Sequence, residues 1–468
     1  MYSNGKKAIG GLAIRPEPRI GIGFALFCAT TVLGQTSDTN ALSVLQSKIE
    51  TLEKKIALHD SCIIQHAKTL SEEDKKVNAH DTIIAELKTS LHREFGTPAI
   101  QGQGFIIGVN ATMILQGTSN PNAVMDAAKN VADASSAAEV TFTKNFDKVN
   151  GKAFLRYEAG QGNGINQDLS LFCNANASAF PGQGIWVAEA WYEQKLFSDR
   201  FDGAIGYLFP AAYFDNNNVA NDQTTQFLNS LFVNNPTFEM PVYVPGLVIK
   251  LLPLDNVEIS AGTFDANGDW QRIGDNLFNV GQLSYSPVIF GSTGNYHIFG
   301  WYNRMPHRSW SDSGARQENS YGFGLSIDQR ITETVTAFAR FGRRSPTTYD
   351  YQAVEASQNY STLISQSWSI GAQMGGKPWR RVNDVVGIGF GQAQPSESYK
   401  KAMMLENGGP ESHFEMYYRI KCFEHMGISP DFQYIMGPFG RDQNPFRTGT
   451  IGNTPTIAIV GIRSMVDF

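Results

Sequence analysis

From about Gln103 to Phe468, apolar and polar residues alternate in short runs, and this constrains the fold more than any other feature of the chain. In residues 414–422, Phe414, Met416, Tyr418, Ile420 and Cys422 share one face, while Glu415, Tyr417, Arg419 and Lys421 share the other. Residues 335–341 split in the same way, with Val335, Ala337, Ala339 and Phe341 opposed to Thr336, Phe338 and Arg340. In residues 152–158, Ala153, Leu155 and Tyr157 oppose Lys152, Phe154, Arg156 and Glu158. Around residues 186–195, Glu189, Trp191, Glu193 and Lys195 fall together. A period of two is a strand with two chemically different faces. Clusters of Gly, Asn, Pro and Asp separate the runs. Long polar stretches (216–234, 349–366) alternate with tight turns such as 424–427. A soluble sandwich accounts for any one such strand. Long loops alternating with tight turns suit a transmembrane antiparallel β-barrel, with its apolar face in lipid and its charged face in water.

The bulk numbers agree. Charged residues are 18% and aromatic ones 12%, which excludes a disordered chain. A net charge of -6 leaves no nucleic-acid footprint. After residue 33 no apolar run reaches about 18 residues, so a bundle of membrane helices is excluded. Residues 104–468 number 365. At about 20 to 25 residues per strand with its loop, this allows about 14 to 18 strands around a water-filled lumen. The last run ends on Phe468, with Val466, Ile462, Val460 and Ala458 on its face and Ser464 the one polar exception. Ile457 and Ile459 fall on the opposite face. A terminal strand ending in Phe is the form read by the outer-membrane barrel assembly machinery.

Two segments precede this region. Lys6, Lys7, Arg15 and Arg19 lead into an apolar run at 20–33, and Val32 and Gly34 are small enough for cleavage before Gln35. This reads as a signal peptide over residues 1–34. A lipoprotein reading through Cys28 is opposed by the bulky Phe27 before it. Residues 35–95 read as an α-helical coiled-coil stalk. Leu42, Ile49, Ile56, Ile63, Leu70, Val77, Ile84 and Leu91 occupy eight successive a positions. The d positions are Leu45, Leu52, His59, His66, Glu73, His80 and Leu87. About 50 helical residues make a rod of roughly 75 Å, and its narrow seam implies a homo-oligomer. The histidine layers could bind an anion or metal, loosen the coil at low pH, or simply fix its register. Residues 96–103 form a linker and 104–468 the barrel.

The sequence carries no enzyme signature. There is no Gly-x-Ser-x-Gly elbow and no His-Glu-x-x-His. His92, His297, His307, His413 and His425 have no Ser or Asp partner by spacing. Cys28, Cys62, Cys173 and Cys422 lack metal-ligand spacing, so neither metal nor cofactor is expected.

Several segments together resemble the carbohydrate-selective porin (OprB) family. They are Ala190-Trp-Tyr-Glu-Gln194, residues 322–330 running on to 337–342, Arg381-Val-Asn-Asp384 followed by 386–390, residues 414–419, and 428–435 with Gly437-Pro438. The resemblance implies a 16-stranded outer-membrane channel passing sugars by facilitated diffusion. The coiled coil departs from the family's plain members and is expected in the periplasm as an oligomerisation stalk, with a trimer implied by analogy with other porins.

A neutral sugar needs aromatic faces for its C–H side and forked donors and carboxylates for its hydroxyls, held weakly enough to leave. Arg156, Glu158, Glu189, Trp191, Glu193, Arg340, Glu415 and Arg419 are the lumen candidates, on a parity that one bulge would invert. The alternative is a general or anion/phosphate-type porin that also tethers outer membrane to cell envelope through the coil. Residues 104–468 hold 26 Lys+Arg against 33 Asp+Glu, which opposes an anion pore. The basic pairs Arg343-Arg344 and Arg380-Arg381 read as solvated surface near strand ends.

Overall fold

The computed structural model describes residues 104–467, except 124–129, 180–183, 290, 312–316, 356–358, 406 and 448, together with Lys54. All the described strands belong to the unit spanning residues 97–468. The signal segment, the heptad positions from Leu42 to Leu91, the histidine layers and Phe468 lie outside the described residues.

Eighteen strands form one antiparallel sheet. They are β1 (Phe105–Thr118), β2 (Val131–Phe146), β3 (Gly151–Gln161), β4 (Gly184–Leu196), β5 (Phe201–Leu208), β6 (Val244–Leu254), β7 (Val257–Asp265), β8 (Leu277–Tyr285), β9 (Val288–Ile289), β10 (Ser292–Ser309), β11 (Gln317–Arg330), β12 (Val335–Arg344), β13 (Thr348–Tyr349), β14 (Ile364–Gly375), β15 (Val385–Pro395), β16 (Glu411–Phe423), β17 (Met426–Met436) and β18 (Thr456–Asp467). β9 and β13 are two-residue ribbons. The other sixteen pair with their neighbours in turn, and β1 closes the ring on β18 from Asn110↔Asp467 to Thr118↔Ile459. Closure removes every sheet edge, as a bilayer requires.

The two ends of the barrel differ. One carries tight connections, such as 147–150, 197–200, 255–256 and 424–425. The other carries long ones, including 162–183, 209–243, 345–363 and 437–455. In an outer-membrane barrel the long loops are extracellular.

The outer face is apolar. Ile205, Leu247, Ile249, Leu251, Ile259, Leu283, Ile298, Ile370, Ile388, Met416, Val460 and Ile462 are all exposed there. The packed core lies inside. The connection 209–243 turns into the lumen, and its Phe214 and Phe238 pack with Phe264, Phe278, Phe299 and Trp301 of the inner wall. Its Phe227, Leu231 and Phe232 pack with Phe338 and Tyr417. Residues Ile165, Leu169, Leu171 and Ala175 of the connection 162–183 cover Ile435, Ile457 and Ile459. The broken alternation in β18 therefore has a cause: two of its inner positions are roofed by a loop and need to be apolar. A wall facing only water would not carry Phe338 or Ile457 at inner positions.

Gly324 and Gly342 face each other across β11 and β12 on this inner wall. A Cβ at Gly342 would lie 2.2 Å from the Asn235 side chain, and one at Gly324 would lie 2.9 Å from it and 2.2 Å from the Phe299 ring. The missing side chains are what let the loop reach the wall.

Candidate substrate-binding lumen

The inner face of β2 to β4 carries a cluster of charged and aromatic side chains. Alternation along β3 points Lys152, Phe154, Arg156 and Glu158 inward. Arg156 Nη1 donates to Glu139 Oε2 at 3.1 Å, and Nη2 lies 2.9 Å from Glu189 Oε1. The guanidinium also sits 5.2 Å from the Tyr243 ring centroid and 5.9 Å from that of Phe209, at the two ends of the inward connection. Trp191 stacks on Phe154 at 4.9 Å between centroids, and its Nε1 donates to Glu189 Oε2 at 3.0 Å. Lys152 lies 4.9 Å over the Trp191 ring and 3.2 Å from Glu193. Register between β3 and β4 shifts between Arg156↔Glu189 and Tyr157↔Val187. This bulge lies beyond Glu189, so Glu189, Trp191 and Glu193 keep one parity. Arg156, Glu158, Glu189, Trp191 and Glu193 are thus brought together. Their companions Glu139, Lys152, Phe154, Phe209 and Tyr243 were not singled out from sequence. Lys152 and Phe154 shared the face of Arg156 and could have been; the cross-strand and loop partners had no local signal.

Arg340 and Glu415 are also on the inner wall, but they hold the inward connection. Arg340 is fully buried. Its Nε donates to Asp215 Oδ1 at 3.2 Å, Nη2 to the Asp215 carbonyl at 2.9 Å and to Asn221 Oδ1 at 3.2 Å, and Nη1 to the carbonyls of Ala220 and Phe232. Both Glu415 oxygens accept main-chain N–H groups, from Leu228 at 2.6 Å and Asn229 at 2.9 Å. Arg419 is half-buried, two inner positions further along β16, and is separate from the Arg156 cluster.

A third fastening was not foreseen. Arg344, expected on a solvated surface, points inward and is buried. It pairs with Glu239 of the inward connection, which also lies 3.1 Å from His307 Nε2 and accepts from Ser320 Oγ at 3.1 Å. The strand's parity separates the basic pair: Arg343 faces out and Arg344 faces in. Burial by itself would push the Glu239 carboxyl up; Arg344 and His307 outweigh it and hold it at about 2. A depressed carboxylate stabilises the fold above its unfolded value and loses that contribution as pH falls through the folded value. Glu239→Gln should therefore cost about 3 kcal/mol at pH 7. The difference from wild type should hold down to about pH 4.5 and fade toward pH 2. Urea unfolding in detergent across this range checks it, and a pH-independent difference would contradict it.

Cys173, Glu411 and His413 bring one potential ligand atom each within 4.8 Å of one another. Their hydrogen bonds describe a clasp rather than a metal centre. Glu411 accepts the N–H groups of Phe172 and Cys173 at 2.9 Å and of Phe439 at 2.8 Å. The Asn229 Oδ1 accepts from the Leu231 N–H, which turns its Nδ2 to donate to His413 Nδ1 at 2.8 Å. Nε2 then carries the proton and donates to Glu411 at 2.8 Å, leaving no imidazole lone pair for a cation.

The sequence model for "Carbohydrate-selective porin, OprB family" matches residues 127–468. Among solved structures, the high-pH structure of Pseudomonas putida OprB superposes with a TM-score of 0.67 at 15% identity, covering 81% of this chain and 97% of that one. The low-pH structure of the same protein gives 0.48 at 14% identity, covering 79% and 94%. An uncharacterized protein of Aquifex aeolicus (strain VF5) is 29% identical over 146 residues, which is 31% of this chain and 40% of that protein's length. With the matched region covering most of the sequence and the sixteen-stranded ring in place, the chain belongs to the OprB family of carbohydrate-selective porins and is a sugar porin of the bacterial outer membrane.

Proposed function

We propose that sugars cross by facilitated diffusion along the β2–β4 wall, past Arg156, Glu158, Glu189, Trp191 and Glu193. The observation that carries this reading is the Trp191–Phe154 stack set beside a forked guanidinium and three carboxylates. A pyranose can lie with its C–H face on the indole and its hydroxyls toward Arg156 and Glu189. Glu139 and Glu189 already balance Arg156, so a solute exchanges hydrogen bonds rather than meeting a bare charge. Such binding is weak and multi-site, which keeps flux from being trapped. Arg340 and Glu415 act one step back by fixing the loop that narrows the path, while Arg419 lines the way beyond the cluster. An anion pore is disfavoured because two inner cations, Arg340 and Arg344, are spent on Asp215 and Glu239.

Planar-bilayer conductance titrated with glucose and maltose tests the assignment. Ion current should fall as either sugar rises and should be indifferent to phosphate. A pore blocked by phosphate alone would overturn it.

The reading extends to the rest of the chain. Residues 1–34 direct export, the coil at 35–95 assembles a periplasmic homo-oligomer with a trimer as the proposed state, and Phe468 addresses the barrel assembly machinery. Eight apolar a positions in succession support the coil. Cross-linking should give oligomers from the full chain and none after deletion of 42–91; oligomers from both would remove the coil from that role.

A further inference from the structure

The outward faces of β11, β12, β14 and β15 carry a single charged side chain, Arg343. It lies near the long-loop end, opposite Phe323 on one side and Gln366 on the other. Below it on the outer face is an aromatic row. Phe323 and Phe341 lie 6.2 Å apart, and Trp368 and Phe390 lie 5.7 Å apart. Arg304, also exposed, lies at the long-loop end of β10, just after Asn303, which pairs with Ser320 of β11. The two arginines therefore flank Tyr321, which is 58% exposed and projects from β11 between them. Neither guanidinium has a hydrogen bond or ion pair among the described residues.

An unpaired arginine on a lipid-facing wall is costly at the bilayer midplane and nearly free at the interface. Aromatic girdles mark that interface. By register Arg304 is level with Asn319 and Arg343 with Phe323, so their Cα atoms lie about 10 Å apart across the strands and about 13 Å apart along them, a span that two long side chains and the two phosphates of one headgroup bridge. A forked guanidinium matches the oxygens of a phosphate. We propose that Arg304 and Arg343 bind the phosphate groups of an outer-leaflet glycolipid whose acyl chains lie against the aromatic row. This site is outside the barrel and independent of the sugar path.

Native mass spectrometry of the full-length protein, delipidated and then incubated with bisphosphorylated lipid A or its dephosphorylated form, tests the site. Wild type should retain the phosphorylated lipid and lose the dephosphorylated one. The Arg304→Gln/Arg343→Gln double variant should retain at least tenfold less, with unchanged single-channel conductance, while Arg200→Gln at the tight-turn end should behave as wild type. Arg343→Lys, which keeps the charge, should retain most of the lipid and serves if the double variant folds poorly. Equal retention by wild type and the double variant, or equal retention of both lipids by wild type, would overturn the proposal.

Discussion

Replacing Arg340 with Met is expected to widen the channel. Arg340 ties two stretches of the inward connection together, Asp215 and the Ala220 carbonyl in its first half and the Phe232 carbonyl in its second. Its removal strands Asp215 in a buried site, at a cost of about 3 to 5 kcal/mol. Some of that cost is relieved if the loop leaves the wall and Asp215 reaches water. The single-channel conductance should then rise about twofold, with frequent substates as the loop moves, and sugar block should weaken. Arg340→Lys should fall between the two, because an ammonium cannot reach Asp215 and the carbonyls together. Conductance indistinguishable from wild type in the Met variant would show that Glu415 and Glu239 hold the loop without it.

The second expectation separates binding from ion selection. Trp191→Ala should weaken sugar block about tenfold, the equivalent of about 1.4 kcal/mol of lost stacking, and leave the cation/anion permeability ratio unchanged. Arg156→Ala should weaken block as well, but it also releases Glu139 and Glu189 from their cation and should raise cation preference. Dose–response block with maltose and reversal potentials in a salt gradient read both quantities on the same channels. If Trp191→Ala leaves the block unchanged, the stack with Phe154 is wall packing and the sugar path lies elsewhere.

The strand faces were legible because a period of two survives locally. The inward sets of β3, β12 and β16 could be read from a few residues each. What each inward residue does could not. Arg156 and Arg340 look alike in sequence, each on the polar face of a short strand. One pairs with wall carboxylates beside the two ends of the inward connection, and the other lies under the middle of that connection, fixed by residues 125 positions away. That difference rests on long-range docking, which has no local pattern. Hints did exist: Phe338, Ile457 and Ile459 sit on faces that should meet water, and each lies beneath a segment folded into the lumen. Of the pair Arg343-Arg344, only Arg344 departs from the expected exposed position, for a related reason. Adjacent strand residues face opposite sides, so one charge pairs with Glu239 inside and its neighbour meets the membrane.

The Asn235 seat over Gly324 and Gly342 separates two dimensions that a bare ring would fix together. Strand number sets how large an object the bilayer must accommodate, whereas a single inserted segment sets how large a solute can pass. A change in the length or volume of residues 209–243 can therefore retune the bore with no change in the perimeter. Substrate range in such a pore can drift by loop replacement alone, under no constraint from the lipid-facing sequence.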